Sequence, residues 1–324
     1  MNDVTPRKIT GSLLERAAEV YDFREHFRAR EAVVERDEEA EKRSPSRDFV
    51  APVLSPIKER EGASSAQSSG KDEGLCGPRV AIDRDHLAQH GFLVPGAPVG
   101  VLAEEFRLVK RQLLLTAKAI AETGGRRSRA VLVCSAKPAE GKTFCSLNLA
   151  LSLAAERDVE VLLVDGDFAK PDVMASLGLE EGPGLLDALA DPTIDVESYV
   201  VRTDIPKLSL LPAGTKTIND TELLASARTE AVLDGLAAAD PRRILIFDSP
   251  PALAASPASV LASQVGQVMM VVRADKTGDS DLREAVQLLD GCEHIQLVLN
   301  AVTFTPGGAR FGSYYGYQGQ ENAR

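Results

Sequence analysis

The sequence predicts an α/β fold, a parallel sheet with helices on both faces, and three observations carry that expectation. From Ala130 onward, short runs of Val, Ile and Leu alternate with amphipathic helical stretches, the pattern of strands buried on both faces. The first run passes through a Gly–Lys–Thr turn straight into a helix. Two later runs end on aspartates, Asp165 with Asp167 and Asp248, which places carboxylates at strand ends along one edge of the sheet.

Composition narrows the class. At 324 residues and 44% hydrophobic, the chain can bury one core of about 150–250 residues with appendages. A formal net charge of −11 argues against a nucleic-acid partner, because affinity for a phosphate backbone rests on Lys and Arg. The cysteines Cys76, Cys134, Cys145 and Cys292 form no CxxC pair, so reduced thiols are expected in place of a zinc site or a disulfide framework. No apolar run reaches the roughly 18–20 residues of a membrane span, and Met1–Thr10 lacks the apolar centre of a signal peptide. A cytoplasmic protein is expected.

In chain order, residues 1–42 are a helical segment. Ser12 is placed to cap a helix beginning LLERAAEVYDF, with Leu14, Ala17 or Ala18 and Tyr21 on one stripe. Ten acids against six Lys and Arg in residues 11–42 disfavour an anionic membrane, which leaves a partner-protein helix or an acidic helix without a partner. Residues 43–79 contain seven Ser, four Pro and four Gly and few large apolar groups, so this stretch reads as a disordered linker. The ordered domain is expected over 80–303. IDRDHLAQHGF gives a short helix stopped by Gly91, followed by a turn at VPGAPVG. From Leu102, apolar residues recur at Phe106, Val109, Leu113, Ala117 and Ile120, a helical stripe that leaves Glu104, Arg107, Lys110 and Arg111 off it. Charges so placed form a solvated face with one intrahelical pair.

Strand and helix then alternate: AVLVC and a helix from Thr143, VEVLLVD, LSLLP and one helix over TELLASARTEAVLDGLAAA, RILIFD, QVMMVV and a helix over SDLREAVQLLD, and IQLVLN. The turn after the first strand, SAKPAEGKT, aims backbone N–H groups and a helix N-terminus at phosphates. Lys142 is placed for the β and γ phosphates and Thr143 for magnesium. The strict GxxxxGK[ST] pattern fails at its first position, which is Ala136. Asp165 and Asp167 at one strand end and Asp248 at another converge on one edge of the sheet, a costly arrangement of charge unless a cation is shared, and Mg²⁺ with a nucleoside triphosphate is the economical solution. The domain is therefore read as a P-loop NTPase-like sheet.

AEGKT, LLVDGD and ILIFDSPP in this order resemble the P-loop, DxD and DxPP motifs of the bacterial tyrosine kinases. EEFRLVKRQLL resembles the ExxRxx(R/K) helix of that family, LLPAG with TELLAS its mid-domain segment, and SYYGY its C-terminal tyrosine cluster. LLERAAEVYDF and IDRDHLAQHGFLVPGAP resemble the subgroup that accompanies exosortase-type exopolysaccharide systems. The resemblance implies a tyrosine autokinase that uses ATP and Mg²⁺ to phosphorylate Tyr314, Tyr315 and Tyr317 in the flexible tail (304–324) of a neighbouring copy. It implies a ring-like homo-oligomer formed through Glu104, Arg107 and Lys110. It also implies recruitment to the inner face of the cytoplasmic membrane by a separate polysaccharide chain-length regulator.

Carried onto this sequence, the resemblance assigns nucleotide contacts to Lys137, Ala139, Glu140, Gly141, Lys142, Thr143, Phe144 and Asn300. Asp165 becomes the base for the phenol, and Thr143, Asp167 and Asp248 order the metal with Asp165. Three positions depart from the family pattern. Ala139 replaces the Gly of PGEGK, Lys170 replaces an Arg, and Lys137 occupies the position at which partition-type P-loop ATPases carry an intersubunit lysine. The alternative reading is such an ATPase switch, hydrolysing ATP to water.

Overall fold

The computed structural model describes residues 79–302, which lie within the compact unit Lys71–Arg324. The expected helical segment 1–42, nearly all of the linker 43–79, and the tail with Tyr314, Tyr315 and Tyr317 fall outside the described residues. Among the described residues, no helix is long and apolar enough to cross a membrane.

The elements are α1 (Arg84–Gln89), α2 (Val101–Ala119), β1 (Ala130–Ser135), α3 (Lys142–Ala154), β2 (Glu160–Asp165), α4 (Leu185–Ala190), β3 (Val201–Arg202), β4 (Leu208–Leu211), α5 (Asp220–Leu224), α6 (Ala227–Ala238), β5 (Arg243–Asp248), α7 (Pro257–Ala262), β6 (Gln267–Arg273), α8 (Asp279–Leu288) and β7 (Ile295–Asn300), with shorter helical turns between them. The strands form one sheet in the order β3-β4-β2-β5-β1-β6-β7 among the described residues. β1 lies at its centre, parallel to β5 on one side and to β6 on the other, and all six of its residues are buried. Such a strand must be apolar on both faces, which is why it reads AVLVC without alternation. One face packs Leu132, Leu162, Val164, Phe247 and Met270 against α4, α6, α7 and α8. The other packs Val131, Val133, Leu163, Ile246 and Val271 against α1, α2 and α3.

The sheet is not wholly parallel as expected. β3 pairs antiparallel with β4, Val201 opposite Leu210 and Arg202 opposite Ser209. The connection is only five residues, with Lys207 at φ +66, and a connection that short joins antiparallel neighbours alone. Two residues carry no readable periodicity. The helix expected over TELLASARTEAVLDGLAAA is two helices, because Ser226 takes extended φ/ψ and its hydroxyl donates to Leu223 O at 2.6 Å.

The segment before β1 straps the helical face. Asp83 caps α1 by accepting from Asp85 N at 2.8 Å, and Gly91 ends it at φ +74. Phe92 then stacks on Phe144 at 5.6 Å, and Leu93 N donates to Asn148 Oδ1 at 2.8 Å. α2 follows the expected stripe, with Phe106 and Leu113 buried against α3. Off that stripe, Glu104 and Arg107 form an i,i+3 ion pair. Lys110 turns inward, donating to Ser152 O at 3.0 Å and pairing with Glu156 at 2.7 Å.

α4 approaches the loop after β4 so closely that a Cβ on Gly184 would run into Pro212 O. Leu185 N and Leu186 N donate to Pro212 O and Ala213 O at 2.9 and 3.0 Å. Gly184→Ala should therefore lower the thermal midpoint by at least ~3 °C, the effect of roughly 1 kcal/mol or more of overpacking in a domain of this size. Gly182→Ala, where an added Cβ meets nothing within 4 Å, should leave the midpoint unchanged. Equal midpoints by calorimetry for all three proteins would show that this junction yields freely.

Candidate functional site

The site is built on the carboxyl ends of β1, β2 and β5, where the strand order reverses direction around β1. After β1 the chain turns through 136–141 into α3. Gly141, at φ +96, begins the helix. Asn300 at the end of β7 lies against it so closely that a side chain at 141 would collide with the amide. Ala139 sits at φ +61, the left-handed region that disfavours any Cβ, so the residue that departs from the family glycine keeps a glycine conformation at a cost of about 1–2 kcal/mol.

Lys142, the first residue of α3, is 8% exposed and its amine makes no hydrogen bond or ion pair among the described residues. Thr143 donates its hydroxyl to Asp248 Oδ2 at 2.6 Å. The other oxygen, Asp248 Oδ1, is buried without a hydrogen-bond partner among the described residues. Asp248 and Asp165 are register partners on adjacent strands, so β pairing alone sets their backbones side by side. Asp165 is fully buried, and its oxygens accept from Asp167 N at 3.1 Å and from Asp172 N and Val173 N at 3.0 Å each. Asp167 is half-buried and accepts from Lys170 N at 3.2 Å.

Burial pushes the Asp248 carboxyl up to about 7, against the Thr143 hydrogen bond that lowers it, and the neighbouring Asp165 charge raises it further. Burial likewise pushes Asp165 up to about 7 despite its backbone hydrogen bonds. Asp167 is raised as well, by burial first, with the Lys170 amide and Lys142 charge opposing. An orphaned carboxylate oxygen beside a threonine hydroxyl and an unpaired lysine fits a divalent cation carrying phosphate. Among the described residues, no group of three or more His, Cys, Asp or Glu is arranged to hold a metal alone. Magnesium characteristically takes one or two carboxylates and completes its shell with phosphate and water.

The remaining expected nucleotide contacts are placed differently from one another. Glu140 is 3% exposed, and its carboxylate is turned onto protein partners, accepting from Lys137 N at 2.8 Å and from the Thr277 hydroxyl. Asn300 donates to Glu140 O at 2.9 Å, so its amide is committed to the loop. Phe144 stacks with Phe92 on the strap. The Lys137 amine pairs with Asp281 of α8. Sequence reasoning missed Thr277, Arg273 and Asp281, which brace the loop from β6 and α8, because no motif marks them. It also missed Gly166, where a Cβ would meet Asp248 O at 2.8 Å, although a Gly between two strand-end aspartates is a signal of close backbone approach.

The raised carboxyls carry a linkage. Asp165 and Asp248 ionise near 3.8 when unperturbed and at about 7 in the fold, so the stability they confer is present below the lower value and lost as pH rises through the higher. In nucleotide-free protein the urea midpoint should fall between pH 5 and pH 8. Asp248→Asn should flatten that fall and be the more stable protein at pH 8. Identical pH profiles for the two would show that the carboxylate is not held protonated.

No family model matches the chain. EpsB of Ralstonia nicotianae is 33% identical over 203 residues, which are 60% of this chain and 26% of EpsB. The tyrosine-protein kinase YwqD of Bacillus subtilis is 27% identical over 243 residues, 74% of this chain and 96% of YwqD. The chain thus spans about a quarter of the length of EpsB and nearly all of YwqD. Among solved structures, the VpsO kinase domain aligns with a TM-score of 0.50 and 31% identity over 61% of this chain and 98% of that domain. With almost the whole of that domain matched at this identity, the chain belongs to the bacterial tyrosine-kinase family.

Proposed function

We propose that the protein is a protein tyrosine kinase that transfers the γ-phosphoryl group of MgATP to tyrosines of its own C-terminal cluster, between subunits. The observation that carries this reading is the Thr143–Asp248 pair with its orphaned carboxylate oxygen, set beneath the GKT loop and beside Asp165. In this reading the loop N–H groups and Lys142 bind the phosphates, and Thr143 and Asp248 hold magnesium, whose charge would offset that of the phosphates. The phenol oxygen bonds to the γ-phosphorus, the bond to ADP breaks, and a carboxylate takes the phenol proton. The resemblance implies Asp165 as that base, and its oxygens accept from backbone N–H groups that hold the carboxyl in place. Asp167 is the more accessible member of the pair, and burial raises its proton affinity.

Tyr314, Tyr315 and Tyr317 are the proposed acceptors. Tyr314 lies twelve positions after Val302, a reach of up to roughly 40 Å at ~3.3 Å per residue, enough to enter a neighbouring site. The α2 charges Glu104 and Arg107 are proposed to join subunits into a ring-like oligomer, with Lys110 holding α2 to α3. The activator is proposed to be a separate inner-membrane regulator of polysaccharide chain length, through which the kinase governs exopolysaccharide synthesis or export. The partition-type ATPase reading rests on Lys137, whose amine is occupied by Asp281 of the same chain.

Purified protein incubated with MgATP should gain phosphate on at least one of Tyr314, Tyr315 and Tyr317 by mass spectrometry, and Lys142→Ala should abolish it. Active protein with all three tyrosines changed to Phe should label Lys142→Ala protein in a mixture. ATP turnover without phosphotyrosine would favour the ATPase reading. Arg107→Ala should lower the oligomer mass in light scattering; an unchanged mass would return the α2 charges to a solvated face.

A further inference from the structure

The P-loop is held from outside by a hydrogen-bond relay that no phosphate contact explains. Thr277, on the turn between β6 and α8, accepts from Arg273 N at 2.9 Å and donates to Glu140 Oε1. The second oxygen of Glu140 accepts from Lys137 N at 2.8 Å. Arg273 Nη1 donates to Ala139 O at 2.8 Å, and Asn300 Nδ2 to Glu140 O at 2.9 Å. Each residue from Lys137 to Glu140 except Pro138 is thus tied to a partner outside the loop or to the Glu140 carboxylate.

We propose that Thr277 is a positioning residue for nucleotide binding, which it supports by anchoring the buried Glu140 carboxylate and so fixing the Lys137–Gly141 backbone. This deepens the nucleotide reading of the site and rests on it. Two features of the loop make an anchor necessary. Ala139 holds a left-handed φ of +61, from which an L-residue relaxes unless its neighbours are fixed. Glu140 brings a buried carboxylate into the loop, and its two oxygens are held by Lys137 N and by the Thr277 hydroxyl. A hydroxyl at 277 is required in both directions, as acceptor from Arg273 and donor to Glu140. Valine has the shape of threonine and can do neither, whereas serine can do both.

The test is titration of wild type, Thr277→Val and Thr277→Ser with a fluorescent ATP analogue in the presence of magnesium, alongside thermal melting without nucleotide. Thr277→Val should bind about tenfold more weakly, the effect of losing one hydrogen bond to a charged group. Thr277→Ser should restore binding to within about twofold. In turnover, the KM for ATP should rise in Thr277→Val with a smaller change in kcat. In a Glu140→Ala background, Thr277→Val should weaken binding no further, since it acts through that carboxylate. Wild-type affinity in Thr277→Val, additive effects of the two substitutions, or weakened binding that tracks a lowered melting point and is not rescued by serine would each overturn the proposal. Failure of wild type to bind any ATP analogue would overturn the nucleotide reading together with it, an outcome distinct from tight binding by wild type and Thr277→Val alike.

Discussion

Two carboxylates that cannot comfortably share one low-dielectric edge set the terms for the rest of this structure. Asp165 and Asp248 are placed side by side by the register of β2 on β5, and neither can retreat into solvent because both strands are buried along their length. Replacing water around them costs more than their hydrogen bonds return, from backbone N–H groups at Asp165 and from the Thr143 hydroxyl at Asp248, which is why both carboxyls are raised to about 7. A fold selected for stability alone would place apolar residues there. The conflict is resolved if a cation is to be held at that edge, and the Thr143 hydroxyl on Asp248 and the Lys142 charge nearby supply the complementary half.

The surroundings follow from holding these groups still. Gly166 lets the backbone after β2 approach Asp248 O, its N–H donating there at 2.7 Å, so the two strand ends remain locked beyond the last paired residues. The phosphate-binding loop carries a strained Ala139 and a buried Glu140, and it borrows rigidity from Arg273, Thr277 and Asn300 at and just after the ends of the neighbouring strands β6 and β7. Strain at a loop of this kind persists only where neighbours over-determine it. On the opposite side, Phe92 and Leu93 bind the first turns of α3 through Phe144 and Asn148, which makes the strap before the sheet part of the support for the helix that starts at the loop.

The central strands, the GKT turn and the strand-end acids were legible because each is local: an apolar run, a tripeptide in the turn after it, an Asp at its end. What escaped was non-local or too short. β3 has two residues, and its antiparallel direction is fixed by a five-residue turn and not by any pattern of its own. The break between α5 and α6 hangs on one Ser hydroxyl returning to Leu223 O. Thr277 and Arg273 are ordinary polar residues some 130 positions from the loop they brace, and only the order β1-β6-β7 brings them to it. The hydrogen bonds that hold Asp165 escaped for a related reason. Its chemistry was visible, but the backbone N–H groups of 172 and 173, which take up one of its oxygens, arrive from a turn that nothing in LLVDGD announces.

Lys110 shows how far a side chain's meaning depends on its partner. In the sequence it belongs with Glu104 and Arg107 as a charge off the apolar stripe. In the fold Glu104 and Arg107 pair along α2, while Lys110 crosses to α3 and fastens to Ser152 O and Glu156. The helix proposed to join subunits is therefore clamped, by Phe106 and Leu113 below and by Lys110 at its flank, to the helix whose first residues are Lys142 and Thr143. In the proposed oligomer, a displacement of α2 would pass to α3 through the packed Phe106 and Leu113, because buried contacts transmit strain, and α3 begins at the GKT loop.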